Sequence, residues 1–316
     1  MSTRRSRPFA RRDVLQVLLF LLFPMWLSHA SPAAEFSFAA FGDTPYNVAE
    51  ELQLGGMIED MNAQPLAFII HVGDFKDSRS ECSDALFEQR RRSFSQAQHP
   101  FVFVPGDNEW TDCETGERPH DALERLAKLR EIFFANGSTL GGRTFTVEQQ
   151  RAAGYTEHLR WIAQEVVFAT FNIPGPDNNA TRMPEESRRR TRAVLDWMEE
   201  TFQVARERKL PAVVLAMQGN IWTGRPGYAA IVSALEKHAR GYAGAILVVH
   251  GDTHWFRFDR PLAGRGIDNV QRLEVFGSPF TAWTLVSVTI ANGRATFHTT
   301  QGSATSPRAQ PATADR

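Results

Sequence analysis

The sequence has little cysteine: Cys82 and Cys113 are the two in 316 residues. A single pair leaves room for one disulfide or for two unpaired thiols, more readily than for a metal site built on thiolates. Charge of either sign is not in excess, with 35 Lys+Arg against 36 Asp+Glu, so the basic balance that marks nucleic-acid binding is missing. No apolar run reaches the roughly 20 residues of a membrane span; Val14 to Leu27, the longest, is broken by Gln16 and Pro24. No segment repeats. What is present, 42% hydrophobic and 22% charged residues, is the composition of a globular protein and not of a disordered or fibrous chain.

The near-zero charge is a sum of unlike parts. Residues 1–30 carry Arg4, Arg5, Arg7, Arg11 and Arg12 against Asp13 alone, followed by the apolar run and the small residues Ser28-His29-Ala30-Ser31-Pro32-Ala33-Ala34. A basic start, an apolar centre and a small-residue exit describe a signal peptide, cut after Ala30 or Ala34. The expected protein is therefore exported, periplasmic or secreted. Ala10-Arg11-Arg12-Asp13-Val14-Leu15-Gln16 also resembles a twin-arginine signal, so the export route stays open. Cutting after Ala30 leaves an acidic body of 30 Lys+Arg against 35 Asp+Glu. In an oxidising compartment Cys82 and Cys113 are expected to form a disulfide.

Beyond the leader, apolar runs alternate with amphipathic ones, the pattern of an α/β fold. Strands are expected at 36–42, 67–73, 101–105, 166–173, 212–217 and 245–250. Three more, at 273–276, 283–290 and 295–299, follow with no helix between them and imply an antiparallel finish. Helices are expected at 48–62, 84–96, 121–134, 185–206 and 228–239. One domain spans 35–300, and the Ser-, Thr- and Pro-rich tail 301–316 reads as disordered.

The acidic residues are placed with regularity. Four apolar runs end in Phe41-Gly42-Asp43, Val72-Gly73-Asp74, Pro105-Gly106-Asp107 and His250-Gly251-Asp252, and His254 follows the last. Asp after a strand is ordinary turn chemistry. Four in register are another matter, because ligands bind beyond the carboxyl ends of α/β strands and clustered carboxylates must protonate or bind cations. Trp110 and Trp255 stand close after two of these motifs and Trp222 close after Ala216-Met217-Gln218-Gly219-Asn220; all three are candidates to wall a pocket or to pack beneath it. Asn178-Asn179 lies in a loop that could reach a substrate. The runs Arg90-Arg91-Arg92 and Arg188-Arg189-Arg190 are expected on solvated helix faces.

In their order and spacing these motifs resemble the calcineurin-like metallophosphoesterases, nearest to a secreted bacterial group bearing Phe-Gly-Asp-Thr-Pro-Tyr and Pro-Gly-Asp-Asn-Glu-Trp. The resemblance covers residues 36–290. It implies a four-layer αββα sandwich and two divalent metal ions, with Asp74 bridging, Asp43 and His254 at the first ion, and Asp107, Gln218 and Asp252 at the second. It implies hydrolysis of a small phosphate mono- or diester by water activated between the metals. Two departures stand out: Pro45 occupies a position where the family has a ligating His, and Asn108 replaces its catalytic His. An amide cannot donate a proton as imidazolium can; His250 is the candidate to replace that acid, against the plainer reading of a strand-end histidine. Oxygen ligands at Asp252 and Gln218 favour Mn²⁺ or Mg²⁺, with iron or zinc possible at the first site. The alternative is a metal-stabilised binding protein on the same fold with catalysis impaired.

Overall fold

The computed structural model describes residues 34–115 and 119–303. The expected signal peptide, and the tail from residue 304 onward, lie outside the described residues. Twelve strands form two sheets among the described residues. The five-stranded sheet has the order β12-β11-β1-β2-β3, from Arg294–Ser303, Ala282–Ala291, Ala34–Phe41, Ile69–His71 and Phe101–Phe103. The seven-stranded sheet has the order β4-β5-β6-β7-β8-β10-β9, from Glu148–Gln150, Tyr155–Ala163, Val166–Thr170, Ala212–Ala216, Ala245–His250, Val270–Glu274 and Arg257–Asp259.

The sheets pack face to face through aromatic side chains that alternate along their strands. Phe38 of β1 meets Phe168 of β6 edge-on at 5.5 Å, and Phe68 meets the same ring at 4.9 Å and Trp161 of β5 at 5.5 Å. Each such pair adds about 0.5–1.5 kcal/mol to the burial itself. Helices cover both outer faces. Against the smaller sheet lie α1 (Val48–Asn62), α2 (Asp84–Phe94) and α3 (Ala122–Phe133), which join its core through Leu54, Met57, Phe94 and Phe133. Against the larger sheet lie α4 (Pro184–Glu207) and α5 (Ala229–Arg240), whose Val194, Met198, Phe202, Ile231 and Leu235 meet Val167, Val213 and Val248. The result is the four-layer αββα sandwich.

The expected antiparallel finish is corrected. Only β11 and β12 form an antiparallel hairpin, which closes the smaller sheet beside β1; β10 runs parallel to β8 in the other sheet. The hairpin also runs on through Ser303, past residue 300 where the domain was expected to end. Three strands escape the sequence reading altogether: β4, β5 and β9.

Cys82 and Cys113 are joined in a disulfide, and both sulfurs lie against the carbonyl oxygen of Asn108, at 3.6 and 3.7 Å. The bond closes a loop of 31 residues, worth about 4 kcal/mol in unfolded-state entropy. Replacing both cysteines by serine is expected to lower stability by about that amount in urea melts; a loss under 1 kcal/mol would contradict the entropic account.

Candidate metal centre

All the motif carboxylates fall at one end of the sandwich, where the carboxyl ends of β1, β2 and β3 meet those of β7 and β8. The bends that place them are tight. Asp43, Asp74, Asp252 and His254 all have positive φ, between 49° and 80°, a region Asp visits at some cost. The adjoining glycines permit close approach: a Cβ on Gly106 would overlap Oδ1 of Asp74, and one on Gly251 would overlap Oδ2 of Asp43.

The two sheets are tied together at the site itself. Both carboxylate oxygens of Asp43 accept from the Asp252 backbone N–H at 3.1 Å, so the motif ending β1 grips the one ending β8. Oδ1 of Asp74 accepts from the Asn108 N–H at 3.1 Å, and Oδ2 accepts from the Tyr46 hydroxyl at 3.1 Å and the Gln218 amide at 3.2 Å. Oδ2 of Asp252 accepts from the Asn220 N–H at 2.9 Å. His254 donates through Nδ1 to the Ser278 carbonyl at 2.8 Å, and its Nε2 lies 3.4 Å from the Tyr46 hydroxyl and 3.7 Å from Oδ1 of Asp43.

A row of glutamates, of which only Glu109 belongs to a motif named from the sequence and none was given this role, holds the loops from behind. Glu50 accepts from Thr44 Oγ1, the Tyr46 N–H, Asn47 Nδ2 and Ser278 Oγ. Glu109 is fully buried and accepts from the Phe75 and Gly106 N–H groups, stapling the second motif to the third. Glu274 accepts from Thr253 Oγ1 and the Trp255 N–H. Lys76, 2% exposed, is the buried cation beside them and donates from Nζ to the Asp77 carbonyl at 2.7 Å. Burial lowers the Lys76 pKa, while Glu109 and Asp74 oppose that shift. Glu109 and Lys76 each stand two residues from a motif Asp, whereas Glu274 is far from any and carries no local signal.

The electrostatics are those of an acidic cluster short of positive charge. Burial, then repulsion from neighbouring carboxylates, raises the pKa of Asp74; the same two effects raise that of Asp43 against the Asp252 hydrogen bonds. Asp107 is pushed up to about 7 by burial and by Asp112 and Asp252, and burial raises Asp252. Tyr46 is raised by burial and then by Asp74, which keeps its hydroxyl protonated.

These groups fit divalent cations by two observations. Oδ1 of Asp107 is buried without a hydrogen-bond partner, and Nε2 of His254 stands 3.7 Å from Oδ1 of Asp43. Yet among the described residues no three His, Cys, Asp or Glu side chains already stand at ligating geometry. Hydrogen bonds from Tyr46 and Gln218 take up the lone pairs of Asp74 instead. Gln218 directs its carbonyl oxygen to the Gly175 N–H at 2.6 Å, so it reaches an ion only by turning its amide.

Several expected roles change. His250 is fully buried, packs on Trp222 at 5.5 Å and is held neutral by burial, with its pKa lowered to about 3; it offers no proton near pH 7. Asn108 bonds Tyr46 at 3.1 Å and the Lys76 carbonyl at 2.9 Å through Nδ2 and acts as a positioning residue. Trp110 is fully buried, whereas Trp255 is 70% exposed. Arg90 and Arg190 are not solvated but buried, the first paired with Glu51 at 2.7 Å and the second with Glu186 at 2.8 Å. Asn178 is also buried, with its carbonyl groups on Arg190.

No protein-family model and no curated protein matches the sequence. Solved structures do match. The chain is similar to GAP50, the anchor in the inner membrane complex of Plasmodium, at 10% identity over 88% of this chain and 90% of that one, with a TM-score of 0.54. It is similar to the purple acid phosphatase PPD1 of yellow lupin (Lupinus luteus) seeds at 10% identity and a TM-score of 0.50, over 88% of this chain and 53% of that one. It thus spans about half the length of the lupin protein. A dimetal phosphatase from Danio rerio aligns at 12% identity over 83% of this chain and 98% of that one, with a TM-score of 0.47. Two packed sheets, flanking helices and acidic loops at the shared strand ends give this chain the fold of the calcineurin-like metallophosphoesterases.

Proposed function

We propose that the chain is an exported, metal-dependent phosphoesterase acting on a small phosphate mono- or diester. The observation that carries this reading is the convergence of Asp43, Asp74, Asp107, Asp252 and His254 on the seam between the sheets. Two divalent ions, Mn²⁺ or Mg²⁺ by the predominance of oxygen ligands, would be held by Asp43, Asp74 and His254 and by Asp74, Asp107 and Asp252, with Gln218 joining after rotation. Bound there, they supply an activated water and offset charge on the phosphoryl group. The chain's own part is orientation. Ser278 fixes the His254 ring, and Asn108 and Asp74 fix the protonated Tyr46, which gives its one hydroxyl proton to Asp74 and holds its ring beside that of His254. With Asn108 and His250 unable to protonate a leaving alcohol, activated esters are turned over faster than alkyl ones. The disulfide fits an oxidising compartment, and so would the signal peptide expected over residues 1–30.

The lack of that acid also favours a second reading, a metal-stabilised binding protein, and the likeness to an anchor protein supports it. The discriminating experiment strips metal with EDTA, reloads Mn²⁺ or Mg²⁺ and follows aryl phosphate mono- and diester hydrolysis. Metal-dependent turnover is expected. Stoichiometric metal with no turnover on any ester would leave the binding module.

A further inference from the structure

We propose that Trp255 and Phe280 form an aromatic clamp at the mouth of the site, and that it stacks on a planar aromatic group of the phosphate ester. This rests on the phosphoesterase reading and names the substrate class. Of the large hydrophobic side chains exposed among the described residues, these two are the aromatic ones, at 70% and 62% exposure. Both ride on backbone fastened to the candidate ligands. Trp255 follows His254 directly, and its N–H bonds Glu274 at 3.4 Å. Phe280 lies two residues beyond Ser278, whose N–H donates to the Asp43 carbonyl at 2.8 Å, whose carbonyl accepts from His254, and whose hydroxyl bonds Glu50 at 2.6 Å. Gly277 lies so close beneath the His254 ring that a Cβ would come within 2.8 Å of it. The two segments are therefore in contact at the site, and each carries one exposed aromatic side chain.

Water-exposed aromatic surface is unfavourable in proportion to its area. Two such rings, anchored at a phosphate-ester site, meet the requirement for holding a flat π-face next to the scissile bond. Stacking of this kind tolerates any planar ring, so the occupant is either a nucleobase or a phenol.

The test compares adenosine 5′-monophosphate, ribose 5-phosphate and phenyl phosphate on the metal-loaded wild type, Trp255→Ala and Phe280→Ala. The first two share a primary alkoxide leaving group and differ in the base. In each variant the ratio of kcat/KM for the nucleotide to that for ribose 5-phosphate is expected to fall about tenfold. A matching fall for phenyl phosphate assigns the clamp to planar rings in general, and a fall for the nucleotide alone assigns it to nucleobases. Unchanged ratios in both variants overturn the clamp. If the wild type hydrolyses none of the three and no aryl phosphate diester either, the phosphoesterase reading fails by itself; whenever the three are not turned over, tryptophan fluorescence decides the clamp. Quenching by the nucleotide but not by ribose 5-phosphate, lost in Trp255→Ala, supports it; equal quenching in wild type and variant, or none, overturns it.

Discussion

Replacing Asp74 by Asn lowers metal-dependent kcat/KM by about a thousandfold. Of the candidate ligands Asp74 alone is expected to serve both ions, and it also anchors the polar web around it, through Asn108, Tyr46 and Gln218. Loss of one carboxylate charge from a buried cluster that balances two dications costs several kcal/mol of transition-state stabilisation, and about 4 kcal/mol corresponds to that factor. The shape of the site survives, because Asn keeps an acceptor for the Asn108 N–H and tolerates the positive φ found there. Unchanged circular dichroism and a metal stoichiometry below that of the wild type, by mass spectrometry, are the accompanying results. A variant retaining more than a tenth of wild-type turnover would remove Asp74 from the chemistry.

The second large effect is on stability. Arg190 on α4 is fully buried and lies 5.3 Å from the Trp110 ring. It forms two hydrogen bonds with Glu186, at 2.8 and 2.9 Å, bonds the Asn172 carbonyl at 3.0 Å and holds both carbonyl groups of Asn178. Arg190→Met leaves the Glu186 carboxylate buried without its partner, a loss of about 3–5 kcal/mol. In a domain this size that lowers the melting temperature by roughly 10 °C. Adding Glu186→Leu removes the stranded charge and is expected to restore at least half of the loss, which a double-mutant cycle measures. No recovery would mean that the other Arg190 contacts, to Asn172, Asn178 and Trp110, carry the stability. The loop Arg190 holds also passes the site, where Gly175 meets Gln218, so under the proposed function turnover is expected to decline with stability.

How much of this was legible follows from what each element shows to a pattern reader. Helix α1 runs over the expected 48–62 because Asn47 caps it, accepting from the Ala49 and Glu50 N–H groups. β8 is where its unbroken apolar run puts it. β5 was missed because its buried positions include Glu157 and His158, one on each face of the strand. Glu157 is neutralised by Arg130 at 2.7 and 2.8 Å, a partner 27 residues away that no local pattern reveals. The same limit hid Arg190, which stands in a run of charges that reads as a wet face until Glu186 and Asn178 are seen around it. At the site the motif carboxylates could be named in advance, since a Gly-Asp step after a strand is a local signal. The supporting roles of Glu50, Glu109 and Glu274 could not, although Glu109 lies in a named motif, because their work is to join loops that are distant in sequence.

The left-handed backbone at Asp43, Asp74 and Asp252 bears on how relatives of this chain can be sorted. Asn is as comfortable as Asp in that conformation and brings no charge, and Gly is more comfortable still. A lineage that no longer needs cations has an easy downhill route at these positions, toward amide or glycine, with less like-charge repulsion at each step. Aspartate kept at all three is therefore a mark of continuing use, whereas Asn or Gly there, on an otherwise intact sandwich, marks a descendant that has kept the scaffold and dropped the reaction.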